Sequence, residues 1–134
     1  MKTENYFLSL LSEEEPDAVA VIKGDTMYPD INGIAKFYAL PESGVLIATE
    51  ISDLPDGREE DTPTFFAFHI HENGDCSASF ANTGVHYNPD NVPHPEHAGD
   101  LPSLLSNDGY VWMIIYDSFL TLPMILNRSV VIHQ

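Results

Sequence analysis

Residues 68–100 read FHIHENGDCSASFANTGVHYNPDNVPHPEHAGD, and this stretch decides how the rest of the chain is interpreted. Five of the six histidines lie within it, and the sixth, His133, is the next-to-last residue. Neutral imidazole is the commonest metal ligand in proteins. A chain that confines its imidazoles in this way is predicted to build a metal site.

The first two histidines lie in a segment with strand character, residues 64–71, which reads TFFAFHIH. His69 and His71 are two residues apart, so on a strand both side chains leave the same face. Phe68 and Ile70 then point the opposite way, into the core. This pair alone is a weak signal, because a lone histidine is more often a surface residue or a hydrogen-bonded core residue.

A second group of donors follows in the long segment 72–97, which has no apolar periodicity and is predicted to be a functional loop. It comprises His86, His94 and His97, with Asp100 just beyond. Three imidazoles and one carboxylate are a tetrahedral donor set that suits structural zinc. Taken alone, Asp100 would equally fit a helix cap or a turn.

Six histidines and one aspartate provide seven ligands, whereas two separate four-ligand sites require eight. One imidazole that binds two metals through both ring nitrogens removes the shortfall, and His86 lies between the two groups in sequence. The remaining site is then all-nitrogen and favours Cu(II); its ligands are His69, His71, His86 and His133. Gly84 and Gly99 are expected to permit close backbone approach or a positive φ.

Short apolar segments separated by turn residues indicate an all-β protein, either an antiparallel β-sandwich or a Greek-key barrel of the immunoglobulin-like type. Residues 1–16 are predicted to form an arm or a short helix, and residues 52–63 and 117–127 to form loops. Residues 1–134 are expected to form a single domain. Seven strands are predicted, at residues 17–23, 34–40, 45–51, 64–71, 98–105, 110–116 and 128–133.

Twenty-one acidic residues against five basic ones give a net charge of −16, which argues against nucleic acid and anionic membranes as partners. The sequence contains no run of 18 apolar residues, so it predicts no membrane span. The N-terminal residues do not resemble a signal peptide. The predicted location is therefore cytoplasmic, or periplasmic or secreted for a processed chain. The single cysteine, Cys76, has no internal disulfide partner.

Four motifs, HIHENGDC (69–76), TGVHYNP (83–89), PHPEHAGDL (93–101) and RSVVIH (128–133), occur in the same order as those of copper/zinc superoxide dismutases. Residues 19–25 and 32–37 also resemble the first strands of that family. The resemblance implies an antioxidant oxidoreductase that converts superoxide to oxygen and hydrogen peroxide with copper and zinc as cofactors. It implies His86 as the catalytic proton carrier, copper ligands His69, His71, His86 and His133, and zinc ligands His86, His94, His97 and Asp100.

The family normally continues past the position of Gln134 with an electrostatic loop, an arginine beside copper, a second cysteine and a last strand. The resemblance therefore predicts a C-terminally short member or a fragment, with its final strand missing and its activity reduced. Cys76 matches the family's first disulfide cysteine. An open sheet edge favours a homodimer or an edge-paired oligomer. The alternative function is a non-enzymatic copper/zinc-binding protein of the same fold.

Overall fold

A computed structural model of the chain describes residues 3–55 and 64–134. Within these residues the order of α-helices and strands is α1 (Thr3–Glu13), β1 (Ala18–Lys23), β2 (Asn32–Ala39), β3 (Val45–Ser52), β4 (Phe65–His71), β5 (Asp100–Leu105), β6 (Val111–Asp117), α2 (Leu122–Ile125) and β7 (Ser129–His133). A single 3₁₀ turn, Ala81–Thr83, lies in the segment between β4 and β5. All seven predicted strands are present, with ends within two residues of the predicted ones. Residues 56–63 of the predicted loop 52–63 lie outside the described residues.

The strands form two antiparallel sheets. The larger sheet has the order β1-β2-β3-β6, and the smaller has the order β5-β4-β7. Because β3 pairs with β6 and β4 pairs with β7, the chain crosses between the sheets, as Greek-key connections do. In the described residues the two sheets do not close into a barrel, so the sandwich alternative of the all-β prediction is confirmed.

Apolar side chains from both sheets meet between them and form the core. On β4, the alternation of the sequence sends Phe66, Phe68 and Ile70 inward, where all three are buried. They pack with Ile47 and Val111 of the larger sheet, which are also buried. The opposite face of β4 is thereby left to its histidines.

Helix α1 packs against the outer face of the larger sheet, where the Phe7 and Tyr116 rings lie 6.1 Å apart. Leu46 is the cross-strand neighbour of both Tyr116 and Tyr38, and both Leu46 and Tyr38 are buried. The prediction of an arm or short helix over residues 1–16 is thus met by a helix over Thr3–Glu13. Among the described residues, no helix has the length and apolar character needed to cross a membrane.

The predicted loop 117–127 is wrong in one respect, because it contains the single-turn helix α2. Pro123 lies in the first turn of that helix, where a missing N–H costs nothing. Its presence therefore indicated a break in strand structure but did not exclude a helix.

Candidate metal centre

The outer face of the smaller sheet collects histidines from two strands and one loop. On β4, His69 and His71 share this face, and the antiparallel partner β7 places His133 opposite Ala67 on the same face. An isolated bridge between His71 and His86 adds the loop histidine to the group. One ligand atom from each of these four histidines lies within 4.8 Å of the others.

Three backbone hydrogen bonds connect Ile70 of β4 with Tyr87 and Gly99, and we call these three residues the backbone triangle. Ile70 N–H donates to Gly99 O (2.8 Å), Gly99 N–H donates to Tyr87 O (2.9 Å), and Tyr87 N–H donates to Ile70 O (2.8 Å). Each member is adjacent in sequence to a predicted ligand. A Cβ atom on Gly99 would lie 2.3 Å from Ile70 O, so the prediction of close backbone approach at Gly99 is confirmed.

Two imidazole nitrogens in this group are buried and have no hydrogen-bond partner, namely Nδ1 of His69 and Nε2 of His71. Buried polar atoms in folded proteins are nearly always paired, so each such exception requires an explanation. One explanation that fits imidazole chemistry is a nitrogen lone pair directed at a metal ion. These two orphaned atoms therefore fit a metal ion bound between His69 and His71.

The tautomer of His71 follows from its neighbours. Its Nδ1 lies 3.0 Å from Gly84 O and 3.2 Å from Thr83 Oγ1. The Thr83 hydroxyl already donates to Phe80 O at 2.7 Å, so it faces His71 as an acceptor. We infer that His71 Nδ1 carries the hydrogen, which leaves the lone pair on the orphaned Nε2.

A second group of donors surrounds the Asp100 carboxylate. Asp100 Oδ1 lies 2.9 Å from His86 Nδ1, and Oδ2 lies 3.0 Å from His94 Nδ1 and 3.2 Å from His97 Nδ1. Ligand atoms of His69, His86, His94 and Asp100 also lie within 4.8 Å of one another. His97 fits this group better than His69 does, because His69 Nε2 is 3.8 Å from Asp100 Oδ1. Three Nδ1 atoms and one carboxylate fit a tetrahedral zinc site.

His86 belongs to both groups. Its Nδ1 faces Asp100 and lies 3.3 Å from His97 Nδ1, while its ring stacks on the His69 ring with the centroids 3.9 Å apart. The His71 ring centroid is 5.0 Å away. The two groups therefore meet at one imidazole.

Burial sets the charge of this centre. It lowers the pKa of His69 to about 4, with a further contribution from nearby His86. Burial also lowers the pKa of His71 and of His133. At neutral pH these three rings are therefore uncharged, which is the form that binds metals.

Asp100 shows the opposite behaviour. Burial raises the pKa of its carboxyl group, but the hydrogen bond from the His97 backbone N–H and the neighbouring imidazoles of His97 and His94 outweigh burial, so the pKa lies below its ordinary value. The carboxylate is therefore ionised at neutral pH and available as an oxygen donor.

The structure brings together all seven side chains that the sequence singled out, and their roles as ligands stay predictions. Tyr87 orders the loop through the backbone triangle, and Asn88 orders it through two hydrogen bonds with the Val92 backbone. Sequence reasoning missed Thr83 and Arg128, because their contacts depend on residues distant in sequence. The only local signal was their position next to or within the histidine motifs.

An antiparallel sandwich with two donor groups joined at one histidine defines a metal-binding β-protein. Residues 31–134 match the family model described as "Copper/zinc superoxide dismutase (SODC)". The chain belongs to the copper/zinc superoxide dismutase family. Copper and zinc are the metals that this family uses, and the histidine-rich group of this chain matches that use.

Two relatives and one solved structure illustrate the likeness. The chain is 37% identical over 109 residues to "Extracellular superoxide dismutase [Cu-Zn]" of Rattus norvegicus, covering 78% of this chain and 43% of the relative. It is 33% identical over 126 residues to "Superoxide dismutase [Cu-Zn] 3" of Arabidopsis thaliana, covering 87% and 71% respectively. The crystal structure of the clock protein EA4 aligns with a TM-score of 0.69 and 28% identity, covering 87% of this chain and 73% of that one.

The chain thus spans less than half the length of the rat relative. The mouse and human relatives that are also named extracellular superoxide dismutases are matched over similarly small shares, 42% and 46% of their lengths. Family membership rests on the residues that are aligned.

Proposed function

We propose that this chain, as a single copper/zinc-binding domain over residues 1–134, converts superoxide to oxygen and hydrogen peroxide. Copper is bound by four histidines and zinc by three histidines and one aspartate, with one histidine shared. The proposed copper ligands are His69, His71, His86 and His133, and the proposed zinc ligands are His86, His94, His97 and Asp100.

The observation that carries this proposal is the pair of buried, unpartnered nitrogens on His69 and His71, in a group that meets the Asp100 group at His86. Leaving a buried polar atom without a partner costs about 1–3 kcal/mol. Two such atoms on one face of one strand are more simply explained by a bound ion than by packing. The sharing of His86 is the feature that separates this arrangement from two independent metal sites.

The overall reaction consumes two superoxide ions and two protons and gives one oxygen and one hydrogen peroxide. Copper, when bound, supplies the one-electron oxidation and reduction, and zinc holds the shared histidine. His86 is the proposed proton carrier. Nδ1 of His86 faces the Asp100 carboxylate and the proposed zinc site. The other ring nitrogen, Nε2, is therefore the atom that holds a proton in one half of the reaction and donates it to the reduced product in the other.

The activity is tested by inhibition of a superoxide-driven dye reduction. We expect the protein loaded with copper and zinc to inhibit dye reduction, and the zinc-only protein not to. The variant His133→Ala removes a donor from the copper group alone, so it should keep its zinc and lose inhibition. Inhibition by the doubly loaded protein that does not exceed that of the zinc-only form would rule out the proposed catalysis.

The second candidate is a copper/zinc-binding protein without turnover. The Arg128 guanidinium is held by the backbone carbonyls of Met124 and Glu72, so it is not free to attract an anion. A net charge of −16 slows the approach of an anion. Tight binding in a calorimetric titration, with both metals confirmed by elemental analysis and no inhibition of dye reduction, would favour this candidate.

The extracellular names of several relatives support the periplasmic or secreted location over the cytoplasmic one. Fractionation of the native cells distinguishes the two. The homodimer or edge-paired oligomer stays a prediction, which light scattering over a range of protein concentrations tests.

A further inference from the structure

Arg128 immediately precedes β7 and makes three contacts through its guanidinium group. Its Nε–H donates to Met124 O, and Nη1 donates to Glu72 O at 3.0 Å. Its Cζ lies 3.7 Å from the centroid of the Tyr87 ring. The planar group therefore donates in two directions within its plane and stacks on an aromatic ring with its face.

Two of these contacts fall on residues that directly follow predicted ligands. Glu72 follows His71, and Tyr87 follows His86 and belongs to the backbone triangle. A neighbouring hydrogen bond ties the same segments, because Ser129 Oγ donates to Asn73 O at 2.7 Å. The Arg128 side chain thus links the start of β7 to the residues that directly follow two predicted ligands, and both of its hydrogen bonds go to backbone carbonyls.

We propose that Arg128 is a positioning residue that holds the segments after His71 and His86 at a fixed separation and thereby sets the metal affinity of the centre. The inference rests on the metal sites of the proposed function. Lysine does not replace arginine here, because a single ammonium group lacks the planar fork that reaches two carbonyls and stacks on a ring. Residues that orient metal ligands typically contribute about 10–100-fold in metal affinity.

The first test follows amide hydrogen exchange in the metal-free full chain. In Arg128→Ala we expect the Tyr87 and Gly99 amides to exchange faster than in the wild type, because the local opening that exposes them costs less free energy. The Ile47 amide, in the middle of the larger sheet, should be unchanged. Lys36→Ala is the matched control, since it also removes one positive charge but from β2. Unchanged exchange at Tyr87 and Gly99 would overturn the proposal.

The second test measures zinc affinity by competition with a chelator. We expect Arg128→Ala to bind zinc at least about 10-fold more weakly than the wild type, and Arg128→Lys to fall between them. Lys36→Ala should bind as the wild type does. An affinity of Arg128→Ala equal to that of Lys36→Ala contradicts the proposed role.

A further pair of variants applies if Arg128→Ala does not fold. Tyr87→Leu removes the ring on which the guanidinium stacks, whereas Tyr87→Phe keeps it. We expect zinc affinity to fall in Tyr87→Leu and to persist in Tyr87→Phe. Equal affinity in both would show that the stacked contact does not position the ligands.

None of these three tests uses superoxide, so their outcomes are separable from that of the proposed activity. A wild-type protein that binds zinc but does not inhibit dye reduction removes the catalytic claim, while the Arg128 comparison stands on exchange and affinity. A wild-type protein that binds no zinc overturns both.

Discussion

Along β4, alternate side chains meet two different environments. Phe66, Phe68 and Ile70 face the other sheet and are surrounded by apolar neighbours. His69 and His71 face outward and retain two buried nitrogens without a partner. The first face is complete within the protein itself, whereas the second has polar atoms that the proposed metal ion would complete. We therefore expect substitutions on the apolar face to act mainly on stability, and substitutions on the histidine face to act on the proposed metal affinity as well.

The largest expected effect is the loss of stability on truncating a buried aromatic side chain of β4, compared with an exposed one on the same strand. Phe68 is 0% exposed, so Phe68→Ala is expected to lower the free energy of unfolding of the metal-free protein by about 3–5 kcal/mol. Phe65→Ala is the matched control, because Phe65 is 63% exposed and should cost less than about 0.5 kcal/mol. Urea unfolding measures both. Similar losses in the two variants would contradict the burial difference.

Sequence alone predicted much of this comparison. The period-two alternation of residues 64–71 assigned Phe68 and Ile70 to the core and the two histidines to the other face, because a strand allows only that division. The joining of the loop to β4 was not predictable, since the backbone triangle pairs residues separated by 12 to 29 positions in the chain. The contacts of Thr83 and Arg128 likewise depend on where those distant segments meet.

The next prediction acts on the connection between loop and strand. Gly99→Ala places a Cβ atom 2.3 Å from Ile70 O, so the backbone triangle must open. We expect a loss of about 3 kcal/mol in stability and a loss of zinc affinity, because Gly99 directly precedes Asp100. Gly33→Ala is the comparison, since its Cβ would lie similarly close to Glu50 O but in the other sheet. Equal zinc affinities in the two variants would count against the triangle.

The pH dependence of the stability of the metal-free protein tests the histidine face of β4. Burial lowers the pKa of His69 from 6.5 to about 4 and also lowers the pKa of His71 and His133, so the unfolded chain binds more protons than the folded one between these values. The contribution of these three groups to the stability of the metal-free protein is therefore fully present above pH 6.5 and is lost as the pH falls toward 4. His69 and His71 each add at most about 1.4 kcal/mol per pH unit, and the exposed His133 adds less because solvent screens it.

Urea unfolding at several pH values between 7.5 and 4.5 measures this slope. His133→Gln should reduce the slope, because it removes one of the three titrating groups, whereas Phe65→Ala should leave it unchanged. A slope in the wild type that is flat or of opposite sign would show that the rings do not stay neutral on folding.

The smallest expected effect concerns Thr83, whose hydroxyl is one of two acceptors near His71 Nδ1. Thr83→Val removes that acceptor and should cost about 1 kcal/mol in the metal-free protein, measured by urea unfolding. Gly84 O remains 3.0 Å from the same nitrogen, so the Nδ1–H tautomer should persist in the nitrogen chemical shifts of His71. Thr83→Ser keeps the hydroxyl and should match the wild type. A switch of His71 to the Nε2–H tautomer in Thr83→Val would mean that the hydroxyl, and not the backbone carbonyl, fixes the ring. The unpartnered Nε2 is the atom that would bind the metal, so that result would also predict weaker copper binding. It would mean that the Thr83 side chain, and not the Gly84 carbonyl, sets the tautomer on which metal binding depends.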